Sequence, residues 1–504
     1  MKPIKTLIFI LSVMVLLGVG WYFFPAEGIA IGHLTLRFPS FAEATTEEEE
    51  KEVDVDAVID QVKKSFEMTC SETVYDSLRF FRDYLKENPN RIYLPHDDYT
   101  FFDTLFAQLE QARSEGRIYR VMHYGDSQIE MDRISSVLRQ KLQELFGGSG
   151  PNMIPAIQTV STISVSQRAS NLRRYTLYGD STTRRASHNR YGVMSQFAQV
   201  SGEGSISFTQ TSHSQAFELA KTISKVSVLL GRNSQGFTAS LKCDTLVTEP
   251  KVLDANDSVS LVTWTLPVSV KRGTISFKGN AEIYAVLLDG EAGVALDNVA
   301  LRGCSGTIFT RIDESVMRQS FEALQTRLVI LQFGGNRMPG IQGPKNMASY
   351  MKELERQIDY IKSVAPEATL LFIGPADMGK SVNGKMGTWP GLPALNDSLR
   401  EMALRNDVAY WDMFHVMGGE GSMAQWVKHQ PPMAGPDYVH FTFRGAQEIG
   451  SDLAKSFTTY YDFYKLRQHV PSQEVIDFVN RDKSQDSITM LYRTVPHYEP
   501  WRRD

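Results

Sequence analysis

The tripeptide Gly125-Asp126-Ser127 has the residue types and the surroundings of a nucleophile site. The preceding run Ile118–Tyr124 is rich in β-branched and aromatic residues and predicts a buried strand that ends at the glycine. After Ser127, apolar residues from Met131 to Leu145 recur at helical spacing until Gly147-Gly148 ends the pattern. A serine between a strand and a helix lies where α/β sheets bind ligands, close to helix N–H groups. We therefore interpret Ser127 as a candidate nucleophile.

A serine in this position can also act simply as a helix N-cap, and the chain contains a second copy of the motif. Tyr178-Gly179-Asp180-Ser181 repeats the same tetrapeptide, but no apolar strand precedes it and no amphipathic helix follows it. We predict that this second copy is a polar turn. The context of the motif, rather than the motif alone, favours Ser127.

Asp437 and His440 stand near the end of the last α/β segment, before a predicted helix that begins at about Gly445. In a helical turn, their spacing places both side chains on one side, so that the carboxylate can orient the imidazole. A serine hydroxyl is a weak nucleophile at neutral pH and requires a base held in one tautomer. An aspartate beside a histidine is also a common structural hydrogen bond, and the catalytic interpretation depends on its combination with Ser127.

Two glycine-containing loops could supply the hydrogen-bond donors that acyl transfer requires for its negatively charged intermediate. The first is Leu301–Gly306, where Gly303 lets the backbone approach closely and offers its N–H. The second is Gln332–Asn336, where the side-chain amide of Asn336 can donate. Together with the backbone N–H of Ser127, these groups form the predicted oxyanion hole.

Strands and helices alternate around these loops. The predicted strands are Val294–Leu301, Arg327–Phe333, Thr369–Ile373 and Val408–Trp411. The clearest helix is 346–364, which Asn346 is expected to cap and Pro366 to end. Such alternation predicts an α/β domain with a parallel sheet and helices on both faces. We assign to it 57–157, a helical lead-in with the first part of the domain, and 294–456, the second part.

Residues 158–293 have a different character, because helical periodicity fades and short alternating segments appear between Gly, Asn and Asp residues. The predicted strands are Ser224–Leu230, Phe237–Cys243, Ser258–Leu266, Thr274–Lys278 and Ala281–Leu288. This pattern is typical of a β-sandwich. Since the segment follows the first strand and helix, we predict a β-sandwich inserted into the α/β domain.

The N-terminal residues 1–25 predict a membrane anchor. Lysines precede the apolar run Thr6–Phe24, which is long enough to cross a bilayer core at about 1.5 Å per residue. A cleaved signal peptide is the alternative, although no clear small-residue cleavage site directly follows the run. Both interpretations predict export to the cell envelope, and a retained anchor predicts a periplasmic protein whose partner is the cytoplasmic membrane. Residues 26–56 then form an acidic linker, and residues 457–504 a C-terminal helix and tail.

The composition is that of an ordinary globular protein, since 42% of the 504 residues are hydrophobic and 22% are charged. The formal net charge of -5 argues against nucleic acid as a partner, because nucleic-acid-binding proteins carry a basic face. The cysteines, Cys70, Cys243 and Cys304, are too few for a disulfide scaffold and lack metal-ligand spacing. We therefore expect no metal and no cofactor.

The four loops, in this order, resemble the signature blocks of the SGNH hydrolases, also called the GDSL-type esterase superfamily. Their signature serine, glycine, asparagine and histidine match Ser127, Gly303, Asn336 and His440, with Asp437 completing the triad. The resemblance covers 118–150 and 294–456. It implies a flavodoxin-like α/β/α sheet and ester hydrolysis or transfer through an acyl-serine. Gln128 and Arg337 depart from the family pattern, which usually has leucine and often aspartate at these positions.

The large β insert resembles that of envelope enzymes that act on O-acetyl groups of bacterial cell-wall glycan, and whose insert is similar to a carbohydrate-binding module. The segment Gly418–Met423, with Trp426, is similar to this subgroup as well. The resemblance implies an acetylesterase whose partner is an O-acetylated glycan, either peptidoglycan or a related polysaccharide. An O-acetyltransferase with the same triad and an inactive glycan-binding envelope protein are the alternatives. A lipase or thioesterase for long acyl chains is less favoured.

Overall fold

A computed structural model describes residues 3–22, 29–31, 34–36, 74–244, 246–382 and 384–483 of the chain, which divides into two compact units, Met1–Glu52 and Val53–Asp504. In the first unit a helix spans Pro3–Tyr22, and the strands Ile29–Ile31 and Leu34–Leu36 pair in antiparallel fashion. Across the described ranges, no helix combines the length and the hydropathy of a membrane span. The predicted anchor is therefore not confirmed, and the envelope location stays a prediction. Most of the predicted linker lies outside the described residues.

The second unit is built on a six-stranded sheet. Its strands are Ile92–Tyr93 (β1), Ile118–Gly125 (β2), Gly293–Ala300 (β3), Thr326–Gln332 (β4), Thr369–Ile373 (β5) and Ala409–Trp411 (β6). The order is β3-β2-β4-β5-β6-β1, in which only β1 is antiparallel to its neighbour. The five parallel strands follow the flavodoxin-like order that the resemblance implies. Each strand predicted for this sheet is confirmed, with its ends shifted by one residue at most.

Helices cover both faces of this sheet. They are Val74–Glu87 (α1), Asp103–Gln111 (α2), Ser135–Phe146 (α3), Glu314–Leu324 (α4), Pro344–Val364 (α5), Leu392–Arg405 (α6), Phe443–His469 (α7) and Ser472–Asn480 (α8), with short helices at Met413–Val416 and Ser422–Lys428. Short 3-10 segments occur at Pro95–Asp97, Ser127–Asp132, Leu219–Lys221, Phe309–Arg311 and Gly335–Gly340. Because successive strand residues point to opposite faces, Val121 packs with α1 to α3, α7 and α8, whereas Met122 packs with α4 to α6.

Helix starts differ from the prediction at two places. After Ser127 the chain forms an irregular 3-10 segment, and the α-helix begins only at Ser135, because Met131 and Asp132 have left-handed backbones with φ of 63° and 65°. Met131 is consequently 40% exposed and does not belong to the apolar stripe. Asn346 is not the cap of the later helix, which begins at Pro344, a residue whose ring already fixes a helical φ.

Between α3 and β3 the chain forms an eight-stranded antiparallel sheet. Its strands are Asn152–Pro155, Val165–Thr176, Gln196–Gln210, Ile223–Cys243, Leu246–Val247, Lys251–Leu253, Ser260–Val270 and Arg272–Asp289. Predicted segments merge into longer strands, since register shifts near Gly279 and Ala281 bend a strand without ending it. The β-sandwich is not confirmed, because these strands belong to a single sheet. A separate hairpin pairs Gly379–Val382 with Lys385–Thr388.

A buried ion cluster attaches the inserted sheet to the α/β sheet. Arg120 on β2 donates to Asp297 on β3 at 2.6 Å and to Asp289 at the end of the inserted sheet. Asn152, in the first inserted strand, donates to Asp289 at 2.9 Å and accepts the Leu296 N–H at 3.0 Å. Burial raises the pKa of Asp289, and the charge of Arg120 opposes this shift. The cluster therefore holds both ends of the insert against strands that carry the candidate site.

Replacing Arg120 with methionine tests this attachment, because the variant leaves two buried carboxylates without their counterion. The free energy of unfolding, measured by urea denaturation, should fall by about 3–5 kcal/mol. The loss should shrink as the pH falls, since proton uptake neutralises the unpaired carboxyl groups.

Arg117→Met is the matched control, because Arg117 is 58% exposed and forms a surface pair with Glu115. A pair of this kind contributes no more than about 1 kcal/mol. Equal losses in the two variants would contradict the proposed attachment.

Candidate active site

Ser127 lies directly after β2, in a segment that we call the nucleophile loop, Asp126–Arg133. Asp126 Oδ1 accepts the Gln128 N–H at 2.9 Å and caps the 3-10 segment. The loop follows the carboxyl end of β2, beside β4, where the winding of the sheet reverses. This is the edge at which open α/β sheets bind ligands. The serine is therefore presented by a rigid strand and by its own capped turn rather than by the α-helix expected from the sequence.

Ser127, His440 and Asp437 form a continuous hydrogen-bonded chain. Ser127 Oγ is 2.8 Å from His440 Nε2, and His440 Nδ1 is 2.7 Å from Asp437 Oδ2. An ionised carboxylate can only accept hydrogen bonds, so Nδ1 carries the imidazole proton and Nε2 accepts from the Ser127 hydroxyl. In this arrangement a histidine can remove the proton of a serine nucleophile. The structure brings these three predicted side chains together.

The histidine and the aspartate belong to a closed loop, Ala434–Phe441, which we call the histidine loop; the expectation of a helical turn is wrong. The ends of the loop pair as an antiparallel bridge, and the Gly435 N–H donates to the His440 carbonyl at 2.7 Å. Tyr438 has a left-handed backbone with φ of 56°, which turns the chain back. Asp437 Oδ1 accepts the His440 N–H at 3.0 Å, so that the carboxylate stays against the imidazole.

The negative charge of Asp437 is stabilised within this loop. Burial raises the pKa of its carboxyl group, but hydrogen bonds from the His440 side chain and from the backbone N–H groups of His440 and Val439 outweigh this effect and hold the pKa below its ordinary value. Asp437 is therefore ionised at neutral pH and can stabilise an imidazolium. The His440 side chain is 41% exposed, so that substrate and water reach it from solvent.

Gly303 and Asn336 lie with Ser127 on the wall of one cavity. Gly303 has φ of 73°, a left-handed conformation that favours glycine, in the turn after β3. Asn336 Nδ2 donates to Asp126 Oδ2 at 2.9 Å and to the Cys304 carbonyl at 3.2 Å. The three predicted oxyanion donors are thus neighbours, and Asp126 orients the amide of Asn336.

Asp126 has a larger part in the site than the motif alone indicates. The side chain is 6% exposed, and burial raises the pKa of its carboxyl group to about 6, although hydrogen bonds from the Gln128 N–H and the Asn336 amide oppose the shift. Its two oxygens accept from the nucleophile loop and from the oxyanion amide. Asp126 therefore connects loops that are far apart in the sequence, and the spacing of residues along the chain does not predict such a contact.

Gln128 and Arg133 connect the nucleophile loop to the histidine loop. Gln128 Nε2 donates to the Val439 carbonyl at 2.5 Å, and its Oε1 accepts the Phe441 N–H at 3.5 Å. Arg133 Nη1 donates to the Phe441 carbonyl at 2.7 Å. The two contacts of Gln128 lie on either side of His440 in the chain, and leucine at this position could make neither. In the sequence, this role could have been predicted from the glutamine at position 128, where the family usually has leucine.

The triad opens into a cavity of about 490 Å³. Part of its wall is apolar, formed by Val160, Phe333, Pro375, Ala376, Met378 and Met413. The rest includes Ser127, His440, Asn336 and charged side chains of the nucleophile loop. Within the described ranges, no cluster of histidine, cysteine and carboxylate side chains is arranged to hold a metal ion.

The segment Gly418–Met423 and Trp426 lie behind the histidine loop rather than on the cavity wall. Trp426 is buried, with its ring centroid 5.3 Å from that of Phe441. The Met423 N–H donates to Asp377 at 2.8 Å. These residues support the loop that carries His440.

The second copy of the motif is a turn, as predicted. The Thr182 N–H donates to Asp180 Oδ1 at 2.9 Å, and Ser181 is exposed. Identical residues therefore form a capped nucleophile loop at one place and a surface turn at another, because only the first copy follows a buried strand.

Residues 272–448 match the model of the GDSL-like Lipase/Acylhydrolase family. The match contains Gly303, Asn336, Asp437 and His440, but it begins after most of the inserted sheet and does not reach Ser127. The 2.8 Å contact between Ser127 and His440 joins the serine to the matched part. The α/β domain is therefore that of an ester hydrolase of the GDSL-like kind. A search of curated proteins finds no match to the chain.

Among solved structures, a peptidoglycan O-acetylesterase aligns with a TM-score of 0.57 and 18% identity, over 72% of this chain and 96% of that one. A family two carbohydrate esterase from Clostridium thermocellum aligns with a TM-score of 0.25 and 10% identity, over 57% and 98% of the two chains. An acetyl xylan esterase aligns with a TM-score of 0.26 and 15% identity, over 32% and 81%. The first comparison shows that the fold is shared over most of this chain.

Replacing Gln128 with leucine should lower kcat without unfolding the protein. The change removes both contacts between Gln128 and the histidine loop, and a displacement of about 1 Å at a catalytic pair can cost about 100-fold in rate. We expect kcat for a short acyl ester to fall by about 10- to 100-fold, with KM little changed.

Gln140→Leu on α3 is the control, because the Gln140 amide bonds only to the nearby Glu144 in the described structure. Thermal unfolding of both variants should resemble that of the wild type. A Gln128→Leu variant with the kcat of the wild type would show that the two loops keep their register without this side chain.

Proposed function

We propose that this GDSL-type ester hydrolase is a serine esterase that removes O-acetyl groups from cell-wall glycan, either peptidoglycan or a related polysaccharide. The observation that carries the proposal is the unbroken hydrogen-bonded chain from Ser127 through His440 to Asp437. The assembled triad favours an active enzyme over an inactive glycan-binding protein. The likeness in fold to a peptidoglycan O-acetylesterase is in line with the proposed substrate class.

In this proposal, His440 Nε2 takes the Ser127 hydroxyl proton while Oγ attacks the acetyl carbonyl carbon. Asp437 stabilises the imidazolium that forms. The tetrahedral intermediate collapses, the bond to the sugar oxygen breaks, and His440 gives its proton to that oxygen, which leaves acetyl-Ser127. The same histidine then removes a proton from water, which attacks the acyl group and releases acetate with the Ser127 hydroxyl restored.

The negative charge of the intermediate develops beside the backbone N–H groups of Ser127 and Gly303 and beside the Asn336 amide. The contact of Asn336 Nδ2 with the Cys304 carbonyl, at 3.2 Å, is the longer of its two hydrogen bonds and is the one that an oxyanion would replace. Asp126 keeps the other bond and thereby holds the amide in place. Donors fixed before the reaction stabilise the transition state most effectively.

The cavity suits a small acyl group on a polar chain. Phe333, Pro375 and Met378 offer an apolar wall for an acetyl methyl group. A longer acyl chain would have to extend toward charged side chains such as Glu130 and Arg133. An acyl chain lying against these groups would displace their remaining hydration and offer no hydrogen bond in return, which favours acetyl over long acyl groups.

The first test compares wild type with Ser127→Ala and Asn336→Ala in the hydrolysis of 4-nitrophenyl acetate and of O-acetylated peptidoglycan. Loss of the nucleophile should lower kcat by about 10⁴–10⁶-fold. Loss of one oxyanion donor should lower it by about 10²–10³-fold. Ser181→Ala, in the second copy of the motif, is the matched control and should retain full activity. Acetate release by Ser127→Ala at the wild-type rate would refute the proposal.

A second test compares acetyl with octanoyl esters and follows the fate of the acetyl group. We expect higher kcat/KM for the acetyl ester, because charged groups border the apolar wall. Free acetate should equal the released nitrophenol, whether or not a glycan acceptor is present. Transfer of acetyl to the added glycan would instead identify an O-acetyltransferase, and preference for octanoyl would identify a long-chain esterase.

A further inference from the structure

A second cavity, of about 630 Å³, lies between the inserted sheet and the α/β domain; we call it the insert groove. It shares lining residues with the catalytic cavity, namely Glu130, Met131, Val160, Arg302 and Gly303. The two cavities are therefore adjacent, with Gly303 on the wall of both.

The insert contributes several polar side chains to this groove, among them Arg174, Tyr178, Asp180 and Gln196. Tyr178 and Asp180 belong to the second copy of the motif, whose turn has no part in the proposed reaction. Where the cavities join, Met131 is exposed with a left-handed backbone, a strained conformation of a kind found at functional sites. Apolar side chains, among them Met153, Ile154, Val165 and Met194, share the wall with these polar groups. A wall of this mixed kind can contact both the apolar ring faces and the hydroxyl groups of a sugar chain.

Most of the arginine charge around the groove is compensated. Arg302 donates to Glu130 at 2.6 Å, and Arg139 forms a buried ion pair with Asp132. Arg174 is different, since among the described residues no carboxylate pairs with it. It lines the groove from the strand Val165–Thr176 of the insert. The carboxylates that share the groove have other partners, since Glu130 accepts from Arg302, Asp132 from Arg139 and Asp180 from Thr182.

The orientation of Arg174 is fixed by neutral partners. Its Nε donates to Gln196 Oε1 at 2.6 Å, and its Nη2 donates to the Tyr178 hydroxyl at 3.1 Å. Gln196 Nε2 donates to the same hydroxyl at 3.1 Å. The Tyr178 oxygen thus accepts twice and keeps its own proton for a further acceptor. A guanidinium and a hydroxyl donor, held side by side without an anion, match a carboxylate ligand.

We infer that the insert groove binds an acidic part of the glycan, with Arg174 and Tyr178 holding a carboxylate of the substrate away from the ester. This inference rests on the proposed function and narrows its substrate to O-acetylated glycans that carry carboxylates. The carboxylate belongs either to a sugar or to a peptide attached to the glycan. Arg174 and Tyr178 are binding residues in this account and take no part in bond making.

The test compares Arg174→Gln with Arg173→Gln, because Arg173 is the adjacent arginine, exposed and absent from the groove wall. The substrates are chemically acetylated polygalacturonate, the same polymer after carboxyl reduction, and 4-nitrophenyl acetate. Arg174→Gln should raise KM for the acidic polymer by about 10- to 100-fold, since hydrogen bonds to charged groups are the strong ones. Its kinetics on the reduced polymer and on 4-nitrophenyl acetate should match those of Arg173→Gln.

Tyr178→Phe should raise KM for the acidic polymer by about 2- to 10-fold, as expected for a single hydrogen bond. Acetylated peptidoglycan fragments, with and without their stem peptides, separate the two sources of the carboxylate. If Arg174→Gln raises KM only for fragments that keep their stem peptides, the carboxylate belongs to the peptide. If it also raises KM for fragments without stem peptides, the carboxylate belongs to the glycan.

Equal kinetics of the two glutamine variants on every carboxylate-bearing substrate would overturn the inference. Slower hydrolysis of 4-nitrophenyl acetate by Arg174→Gln, together with a lower Tm, would also overturn it by revealing a purely structural role. Failure of the proposed function would be detected in a different measurement, because Ser127→Ala would then hydrolyse esters at the wild-type rate.

Discussion

The candidate site depends on the contact between the nucleophile loop and the histidine loop. Ser127 and His440 are 313 residues apart in the chain, yet their hydrogen bond tolerates little displacement. Gln128 and Arg133 reach across this boundary to backbone groups of the histidine loop, and Trp426 packs behind Phe441. Each such hydrogen bond contributes only about 0.5–1.5 kcal/mol to stability. Their main effect is on geometry, because they fix the position of the nucleophile loop relative to the histidine loop. No covalent cross-link joins these two described loops.

The inserted sheet is part of this arrangement. Asp132 in the nucleophile loop pairs with Arg139 on α3 at 2.5 Å and accepts the hydroxyl of Ser164, which lies between the first two strands of the insert. The left-handed backbones of Met131 and Asp132 are thus held by a buried ion pair and by the insert itself. Arg120, at the other end of β2, holds the insert through buried carboxylates. The insert is thus attached both to the loop that carries Ser127 and to the strand that precedes it.

The sequence predicts the central sheet well, because its buried parallel strands are continuous apolar runs. The triad is also found in short motifs, with Ser127 at the end of a strand and with Asp437 and His440 shortly before a helix. The helix start predicted at Asn346 was wrong. Asparagine has a strong preference for the cap position, but Asn346 lies inside a helix that begins at Pro344. The helix predicted around Met131 was also wrong at its start. The apolar residues keep helical spacing there, but the ion pair of Asp132 holds the backbone out of the helix. The contacts of Gln128, Asp126 and Arg174 join distant segments, and no local pattern encodes them.

The most direct measurement of the central claim is covalent labelling with a fluorophosphonate probe, followed by peptide mapping. The probe reacts with a serine only when a neighbouring base activates its hydroxyl. The chain contains its own comparison, because Ser127 and Ser181 stand in identical tetrapeptides and, of these two serines, Ser127 alone has a histidine partner in the described structure. The account predicts a single label on Ser127, lost when His440 is replaced by glutamine. A label on Ser181, or ester hydrolysis by a chain whose Ser127 stays unlabelled, would contradict it.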